Sequence, residues 1–367
     1  MVNIKKFIKE NTVLTVAAMA AAVSCVFITP DAKYTSYFDL KTLTCLFCVL
    51  SVVCAMRNIE LFSILARKVV AVFKSARMSV LGLVFITFIG SMLIANDMAL
   101  ITFLPLGYYI LEKTGKRELM AFTFIMQNIA ANLGGMLTPF GNPQNLFLYS
   151  KFNIPDSEFV SIMAFPFAIS IAAITVCCLF IAPEKIDIPD EGKRLPPLRT
   201  VVYILLFVLS IAIVFRAIPY YIGPAVIFPA LFLMDRKALS DVDYTLLLTF
   251  VCFFIFAGNV SRIEPIRLFF MDIMKKSTLL TSVLSCQLIS NVPTAILLSG
   301  FTDNYRELLR GVNIGGVGTL ISSMASLITF REYIKHNPDK AKEYIIKFSV
   351  FNFAFLIILT VSCYFLG

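Results

Sequence analysis

A segment rich in glycine, proline and side-chain amides interrupts one of the most apolar parts of this chain. It covers residues 128–145 and reads NIAANLGGMLTPFGNPQN. Glycine and proline disfavour a continuous helix, because one lacks a restraining side chain and the other lacks an N–H. At membrane depth, non-helical backbone is tolerated only where protein covers it or where it lines a wet cavity. The segment therefore predicts a broken membrane helix of the kind that builds substrate and ion sites in secondary transporters.

The composition places the chain in a lipid bilayer. Hydrophobic residues make up 59% of the 367 residues, and charged residues only 15%. Soluble proteins are about half apolar and a quarter charged, so the excess apolar surface has to face lipid. The net charge of +9 does not indicate nucleic acid, because the basic residues fall in short segments between apolar runs. The one histidine, His336, lies in a charged segment, and Cys45 and Cys48 have C-x-x-C spacing but no second pair follows, so we expect neither an enzyme nor a cofactor.

Apolar runs long enough to cross a bilayer, about 17–25 residues, recur along the chain. They cover residues 12–29, 39–56, 119–148, 157–182, 200–216, 243–260, 311–330 and 346–366. A shorter run, 219–234, contains three prolines. Lys5, Lys6 and Lys9 precede the first run, which we interpret as an uncleaved first span rather than a signal peptide.

The basic segments between the runs suggest how the chain is threaded. Placing them all in the cytoplasm, as the positive-inside rule favours, also puts the N-terminus there, in a multi-pass protein of the bacterial inner membrane. Two segments, 79–111 and 278–309, must then enter and leave on the same side. Each has a polar centre, Ala95-Asn96-Asp97 in the first and Ser290 to Thr294 in the second. We predict that both are re-entrant hairpins whose tips face a cavity.

An internal repeat relates the two halves. The helix from Asp39 to Glu60 matches that from Asp243 to Glu264, and NLGGMLT at 132–138 matches NIGGVGT at 313–319. The positions of the basic segments indicate that these matched helices cross the membrane in opposite directions. The halves, residues 1–182 and 200–367, are therefore predicted to be inverted repeats, joined by a cytoplasmic linker at 183–199. The first contains hairpin 79–111 and broken helix 119–148, and the second contains hairpin 278–309 and broken helix 311–330. The predicted fold is thus an all-α polytopic membrane protein.

Packing about a pseudo-two-fold axis would bring both tips and both breaks together. The candidate substrate- and ion-binding residues are Asn96, Asp97, Gly141, Asn142, Pro143, Ser290, Asn291, Thr294, Ser322 and Ser323. Supporting residues at the breaks are Asn132, Gly134, Gly135, Thr138, Asn313, Gly315, Gly316 and Thr319. The alternative is that the glycine pairs only allow close helix packing and that the threonines bond their own helix backbone.

These residue types suit both ions of a coupled transporter. Side-chain oxygens and freed carbonyls suit a hard cation, so Asn96, Gly141, Asn291 and Ser322 are candidate Na⁺ ligands. Helix N-termini suit an anion because their N–H groups are free and carry partial positive charge. Asp97 is an acidic residue deep in an apolar stretch, which makes it a candidate for cation or proton coupling. Its alternative role is to cap the hairpin turn.

Four motifs carry a family resemblance across both halves. They are ANDMALITFLPL at 95–106, GGMLTPFGNPQN at 134–145, SNVPTAILL at 290–298 and GVNIGGVGTLISSMASL at 311–327. The chain resembles the ion transporter superfamily of divalent-anion symporters, citrate transporters, arsenite permeases and Na⁺/H⁺ antiporters, and most of all its short bacterial anion permeases. The resemblance implies a scaffold with a mobile transport domain, elevator-like alternating access and commonly a homodimer.

The resemblance also implies roles for particular residues. Sodium-coupled dicarboxylate members carry Ser-Asn-Thr motifs at the hairpin tips, of which Asn96, Ser290 and Asn291 are matched here. Their Gly-Ser/Thr-Pro pattern at the breaks is matched by residues 141–143, with asparagine in the middle, whereas the second copy at 322–324 lacks the proline. We therefore expect a secondary transporter for a small anion coupled to Na⁺ or H⁺. A Na⁺/H⁺ antiporter with Asp97 as the titrating carboxylate and an arsenite-type efflux permease are the alternatives.

Overall fold

The computed structural model describes residues 11–186 and 195–366, and within them the chain is helical. No β-strand occurs in these ranges apart from one isolated bridge between Ser75 and Lys185. Lys5, Lys6 and Lys9 and the middle of the predicted linker, 187–194, lie outside the described residues. The prediction of an all-α fold is confirmed.

The helices are labelled in chain order. The first half contains α1 (Thr12–Phe27), α2 (Leu40–Asn58), α3 (Leu61–Ala71), α4 (Ala76–Ile94), α5 (Asn96–Lys113), α6 (Met120–Gly134), α7 (Pro143–Lys151) and α8 (Asp156–Leu179). The rest contains α9 (Pro197–Val214), α10 (Ile222–Met234), α11 (Arg236–Ser240), α12 (Tyr244–Val260), α13 (Glu264–Lys276), α14 (Thr278–Ile289), α15 (Asn291–Leu298), α16 (Tyr305–Ile314), α17 (Met324–His336) and α18 (Ala341–Leu366).

Within residues 11–186 and 195–366, six helical segments are long and apolar enough to cross a membrane. They are Leu40–Asn58, Ala76–Ile94, Asp156–Leu179, Pro197–Val214, Arg236–Val260 and Pro338–Leu366. The shorter apolar helices are α1, α10 and α14. Many apolar side chains on these helices are exposed, such as Val26, Phe180 and Leu233. Because a soluble protein would bury such a surface, these helices are suited to contact lipid.

The two halves pack on each other reciprocally. The first helix of the first half, α1, packs on α12 of the second, while α9 and α10 pack on α2. In the same way α7 packs on α15, and α17 packs on α5. Within each half the first arm of the hairpin packs on the first part of the broken helix, α4 on α6 and α14 on α16. Each half thus completes the other, as a pseudo-two-fold arrangement requires, while the inverted orientation in a membrane stays a prediction.

A helix pair occurs at each predicted hairpin and an interruption at each predicted break, with shifted boundaries at the second hairpin, while the re-entrant course in a membrane stays a prediction. Its arms are α14 and α15, so it ends at Leu298, and residues 305–309 belong to the following helix α16. The reason is a capping signal that an apolar-run analysis does not detect, because the Asn304 side chain accepts the Glu307 N–H at 3.3 Å. The broken helices continue to Lys151 and His336. The short helices α3 and α13, which follow α2 and α12, are amphipathic.

The basic segments gather at one end of the bundle. Contacts that join them are Arg57 with Asp241 (3.4 Å), Arg77 Nε with the Ile181 carbonyl (2.7 Å), Lys116 with Glu184, and the His336 ring on Tyr108 (3.6 Å between centroids). Since α2 and α8 are full-length helices, their other ends lie at the opposite side. There Arg262 pairs with Asp31 at 2.7 Å and Arg306 with Glu158 at 2.7 Å. This grouping agrees with the charge-derived threading.

Cysteine labelling tests that threading. A cysteine at Lys113 should react with a membrane-impermeant maleimide only from the cytoplasmic side, and a cysteine at Asp303 only from the other side. Both positions are exposed, so access rather than burial decides the reaction. The parent protein supplies the background from its native cysteines. Labelling of both positions from one side would exclude the inverted arrangement.

Candidate functional site

The two hairpin tips share an unusual backbone conformation. Ala95 has φ 67° and ψ 153°, and Ser290 has φ 75° and ψ 158°. This region is essentially restricted to glycine, and a residue with a side chain occupies it at a cost of about 1–3 kcal/mol. Backbone strain of this kind clusters at binding sites and switch regions. The two matched positions therefore mark both tips as candidate parts of one functional site.

The asparagine that follows each strained residue stabilises its tip. Asn96 Oδ1 accepts the N–H of Asp97 at 2.9 Å, and Asn291 Oδ1 accepts the N–H of Val292 at 2.9 Å. Each amide thus satisfies one backbone donor at the start of a half-helix, where intrahelical partners are missing. One lone pair of Asn96 Oδ1 is left for a further donor or a cation, whereas Asn291 Oδ1 also lies 3.3 Å from the Ser290 hydroxyl, which can donate to it. Both asparagines are buried, so such a partner would come from the interior of the protein.

The two tips differ in how they contact the breaks. At the second tip, the Asn291 N–H donates to the Ser322 carbonyl at 3.0 Å, and Ser290 Oγ donates to the same oxygen at 3.3 Å. At the first tip, Asn96 Nδ2 instead donates to Asn132 Oδ1 at 3.2 Å. No backbone bond joins Asn96 to Gly141 in the described part of the first half. Of the candidate Na⁺ ligands, Asn291 and Ser322 are therefore in direct contact.

The glycines at matched positions of the two halves allow close packing. A Cβ on Gly134 would lie 2.2 Å from the Phe88 carbonyl oxygen, and one on Gly315 would lie 2.7 Å from Cys286 Cβ. These two glycines let each broken helix approach the first arm of its hairpin. Within the first break, a Cβ on Gly135 would meet Asn142 Oδ1 at 2.4 Å. A Cβ on Gly141 would meet the Gly135 carbonyl at 2.4 Å, and one on Gly316 would meet Asn291 Nδ2 at 3.1 Å.

The matched threonines join the breaks to the hairpins by hydrogen bonds. Thr138 Oγ1 donates to the Met92 carbonyl at 2.7 Å, and Thr319 Oγ1 donates to the Gln287 carbonyl at 3.1 Å. Neither bond is to the threonine's own helix, so the self-bonding alternative is wrong for these bonds. Thr294 does follow that alternative, because its hydroxyl donates to the Ser290 carbonyl at 2.7 Å within its own turn.

A buried amide network crosses between the halves. Asn142 Nδ2 donates to Asn313 Oδ1 at 3.2 Å, and Asn313 Nδ2 donates to Asn145 Oδ1 at 2.6 Å. Asn145 Nδ2 also lies 3.1–3.3 Å from three carbonyl oxygens of the first break. Because these groups are away from water, each lost partner would leave a costly unsatisfied group. The network fixes the first break and the second broken helix relative to one another.

Four helix N-termini converge on one small cavity, which we call the central cavity. Its volume is about 40 Å³. The lining residues from the starts of α5, α7, α15 and α17, or from the positions just before them, include Asn96, Asp97, Pro143, Gln144, Ser290, Asn291, Ser323 and Met324. Asn142 and Ser323, which precede α7 and α17, share extended backbones with ψ of 143° and 144°. The positive ends of four helix dipoles therefore point at one place, which suits an anion.

Three buried oxygens near the cavity lack a hydrogen-bond donor within the described residues. They are Asp97 Oδ1, Asn142 Oδ1 and Gln144 Oε1. Asp97 does not cap the hairpin, since the N–H at this turn is bonded by Asn96 Oδ1 instead. The capping alternative for Asp97 is therefore wrong. A buried carboxylate oxygen without a donor is costly unless a cation or a proton compensates it.

Sequence reasoning did not identify several polar residues of this region. Gln144 lines the cavity, and Gln287 Nε2 donates to the carbonyls of Gly315 (3.0 Å) and Val317 (3.2 Å) in the second break. Thr245 and Thr249 line the cavity from α12. Their spacing of four residues in an apolar span is a signal for a shared face. Of the ten predicted binding residues, four lie outside the lining of the central cavity, namely Gly141, Asn142, Thr294 and Ser322.

The fold and the site define a polytopic helical membrane transporter. The chain belongs to the citrate transporter family, because the model of that family matches residues 6–304. It is similar to the uncharacterized transporter MJ0456 of Methanocaldococcus jannaschii, with 35% identity over 80% of this chain and 81% of the relative. It is also similar to the inner membrane protein YbiR of Escherichia coli K12, with 28% identity over 74% and 73% of the two chains.

Glycine substitution tests the strain at the first tip. Ala95→Gly should raise thermal stability by about 1 kcal/mol, because relief of the strained backbone exceeds the entropy that glycine costs. The matched control, Ala99→Gly in the interior of α5, should lower stability by at least about 0.5–1 kcal/mol. Thermal unfolding of purified protein measures both. Equal losses in the two variants would show that the tip is not strained.

Proposed function

We propose that this protein is a secondary active transporter that moves a small anion, a carboxylate or an oxyanion, coupled to Na⁺ or H⁺. The observation that carries the proposal is the convergence of four helix N-termini on the central cavity. Each contributes backbone N–H groups and roughly half a positive charge. Such a site binds an anion without a basic side chain and releases it more readily than a paired arginine would.

The cation would bind on the other face of the same breaks. Helices α4 and α14 end at the two tips, and α6 and α16 end at the two breaks, so each tip and each break offers last-turn carbonyls as well as the N-terminus of the next helix. The contact between Asn291 and the Ser322 carbonyl supports Na⁺ ligation near the second tip. Asn96 and Gly141 would supply the equivalent position near the first tip. A cation there would offset the charge of the anion, which explains coupling in physical terms.

The position of the site along α12 supports elevator-like movement. The central cavity lies against the first turns of α12, at Thr245 and Thr249. A larger cavity lies against its last turns, at Ala257 and Gly258. The rise per helical residue makes the separation of Thr249 and Ala257 about 12 Å. We propose that α1, α2 and α12 belong to the scaffold and that the hairpins and broken helices move along it by about this distance.

The size of the central cavity bears on the cargo. One water needs about 10–15 Å³, so a cavity of about 40 Å³ holds only a few water-sized groups. A tricarboxylate such as citrate would require the tips to separate, whereas a small oxyanion would not. The family description names citrate and the first relative is named a transporter, so a carboxylate is the first cargo to test. The inner-membrane name of the second relative supports a cytoplasmic membrane location, and we propose a homodimer with cytoplasmic N-termini.

Uptake by proteoliposomes tests the proposal. Labelled citrate, succinate, phosphate and arsenite should be offered with and without Na⁺ and pH gradients, and at least one should accumulate only with a gradient. Asn291→Ala removes a tip amide whose loss costs about 1–3 kcal/mol, so its transport affinity should fall roughly ten- to hundredfold. The half-buried Asn337, whose side-chain amide donates to the Tyr333 carbonyl away from the tips, gives the matched control Asn337→Ala. Absence of gradient-driven uptake for the whole panel would contradict the proposal.

A second candidate, Na⁺/H⁺ antiport, is favoured by one observation. Asp97 places a buried oxygen without a donor beside the central cavity. Val292 occupies the equivalent position in the second half, so the carboxylate breaks the symmetry of the site. A carboxylate that binds Na⁺ and H⁺ in turn would exchange one for the other without any anion.

The Asp97→Asn substitution distinguishes structure from coupling. It retains the shape of the side chain and removes its charge, so the variant should fold but lose Na⁺ or pH dependence. Under the antiport alternative, Na⁺-driven proton movement would vanish and no anion of the panel would be transported. Asp303→Asn on an exposed loop is the matched control. Gradient dependence equal to that of the parent protein would exclude a coupling role for Asp97.

A further inference from the structure

A second cavity lies at the end of the bundle opposite the basic segments. Its volume is about 480 Å³, and its lining includes Lys41, Lys151, Asp39, Ser150 and Ser261. We call it the lysine cavity. It is an order of magnitude larger than the central cavity and has room for a hydrated carboxylate or phosphate-type anion.

The lysine cavity is joined to the central cavity by two half-helices. Helix α7 runs from Pro143 at the central cavity to Lys151 at the lysine cavity. Helix α15 runs from Asn291 at the central cavity to Ile296 at the lysine cavity. Because a helical residue rises 1.5 Å, the two ends of α7 are about 12 Å apart. Most of the remaining lining comes from α2, α12 and the segment before α2, and the proposed mechanism assigns α2 and α12 to the scaffold.

The charges in the lysine cavity favour an anion. Neither Lys41 nor Lys151 forms an ion pair with any residue in the described ranges 11–186 and 195–366. Lys151 Nζ lies 6.0 Å from the centroid of the Phe147 ring. Asp39 is engaged elsewhere, since its carboxylate accepts the Thr42 N–H at 2.9 Å and the Thr42 hydroxyl at 2.5 Å. The cavity therefore presents two positive charges against one carboxylate that already has donors.

We infer that the lysine cavity is a recruitment site in which Lys41 and Lys151 hold a carboxylate or phosphate-type anion before it reaches the central site. Lys41 lies at the start of α2 and Lys151 at the end of α7, so an anion between them bridges the scaffold and a transport half-helix. Clefts lined by one sign of charge raise local counter-ion concentration and on-rates by about 10–10³. The inference rests on the proposed function, because it assigns the access path of the same anion.

A thiol-reagent experiment measures the potential in this cavity without relying on transport. Ser150→Cys places a thiol in the lining, where an anionic thiosulfonate should react faster than a cationic one. Intrinsic reactivities are corrected with Lys275→Cys, an exposed position on α13 outside the cavity. Lys41→Gln with Lys151→Gln should lower the corrected anion-to-cation ratio roughly three- to tenfold. The difference in this ratio between the lysine double variant and its parent should disappear near 1 M salt, where the screening length is about 3 Å.

The same experiment with added citrate tests whether the lysine cavity binds an anion. At low ionic strength, citrate should protect Ser150→Cys from the anionic reagent, and the lysine double variant should lose this protection. In citrate uptake the double variant should raise KM roughly three- to tenfold and leave Vmax unchanged, since the lysines act on encounter rather than on translocation. Lys275→Gln is the matched control and should leave both constants unaltered.

The outcomes separate this inference from the proposed function. Equal reactivity toward both reagents, or no effect of the lysine substitutions on their ratio, would overturn the recruitment site even if uptake is normal. Charge preference and citrate protection without uptake of any anion would uphold the recruitment site and contradict the transport proposal. An anionic lipid headgroup could offer the same chemistry as a soluble anion. Charge preference that exists in neutral-lipid vesicles and vanishes with anionic lipid, without citrate protection, would assign the site to lipid and overturn recruitment.

Discussion

The constraint on which this structure depends is that backbone groups freed by a broken helix must find partners where lipid offers none. Both breaks solve it with side chains from the same fold. Asn145 satisfies carbonyls of the first break, and Gln287 those of the second. Thr138 and Thr319 bind carbonyls of the facing hairpins. The polar residues that look like a binding site in the sequence are therefore, in part, what makes a break at this depth stable.

The same solution creates binding capacity, because not every group is used. Each break exposes the C-terminal end of one helix and the N-terminal end of the next, so negative and positive partial charges lie a few ångströms apart. Four N-terminal ends meet at the central cavity, and several oxygens around it, including Asp97 Oδ1 and Gln144 Oε1, have no donor in the described residues. A site of this type selects an ion by its charge and only weakly by its shape.

Repetition decided how much of the site could be predicted from the sequence. Asn96 and Asn291, and Asn132 and Asn313, were identified because each occurs at a matched position in both halves. Gln144 and Gln287 were missed because Ala325 and Met92 occupy the matched positions, so no symmetry signal exists. The helical class and the breaks follow from composition and from glycine and proline. The lysine cavity does not, because Lys41 and Lys151 lie 110 positions apart and only the packing of α7 near α2 brings them together.

The departures from symmetry show where the two hairpin tips differ. Ser290 has a hydroxyl that binds the second break, and Ala95 at the matched tip has none. The second tip is thus held by two bonds to the Ser322 carbonyl, while the first is held through the Asn132 side chain. Because a side chain can change rotamer while a backbone carbonyl cannot move alone, the first tip separates from its break at lower cost. Asp97, the residue that breaks the symmetry of charge, lies at this same tip. The tip that separates more easily is therefore also the one that carries Asp97, whose Oδ1 has no donor among the described residues, so the proposed cation binding would act on this tip.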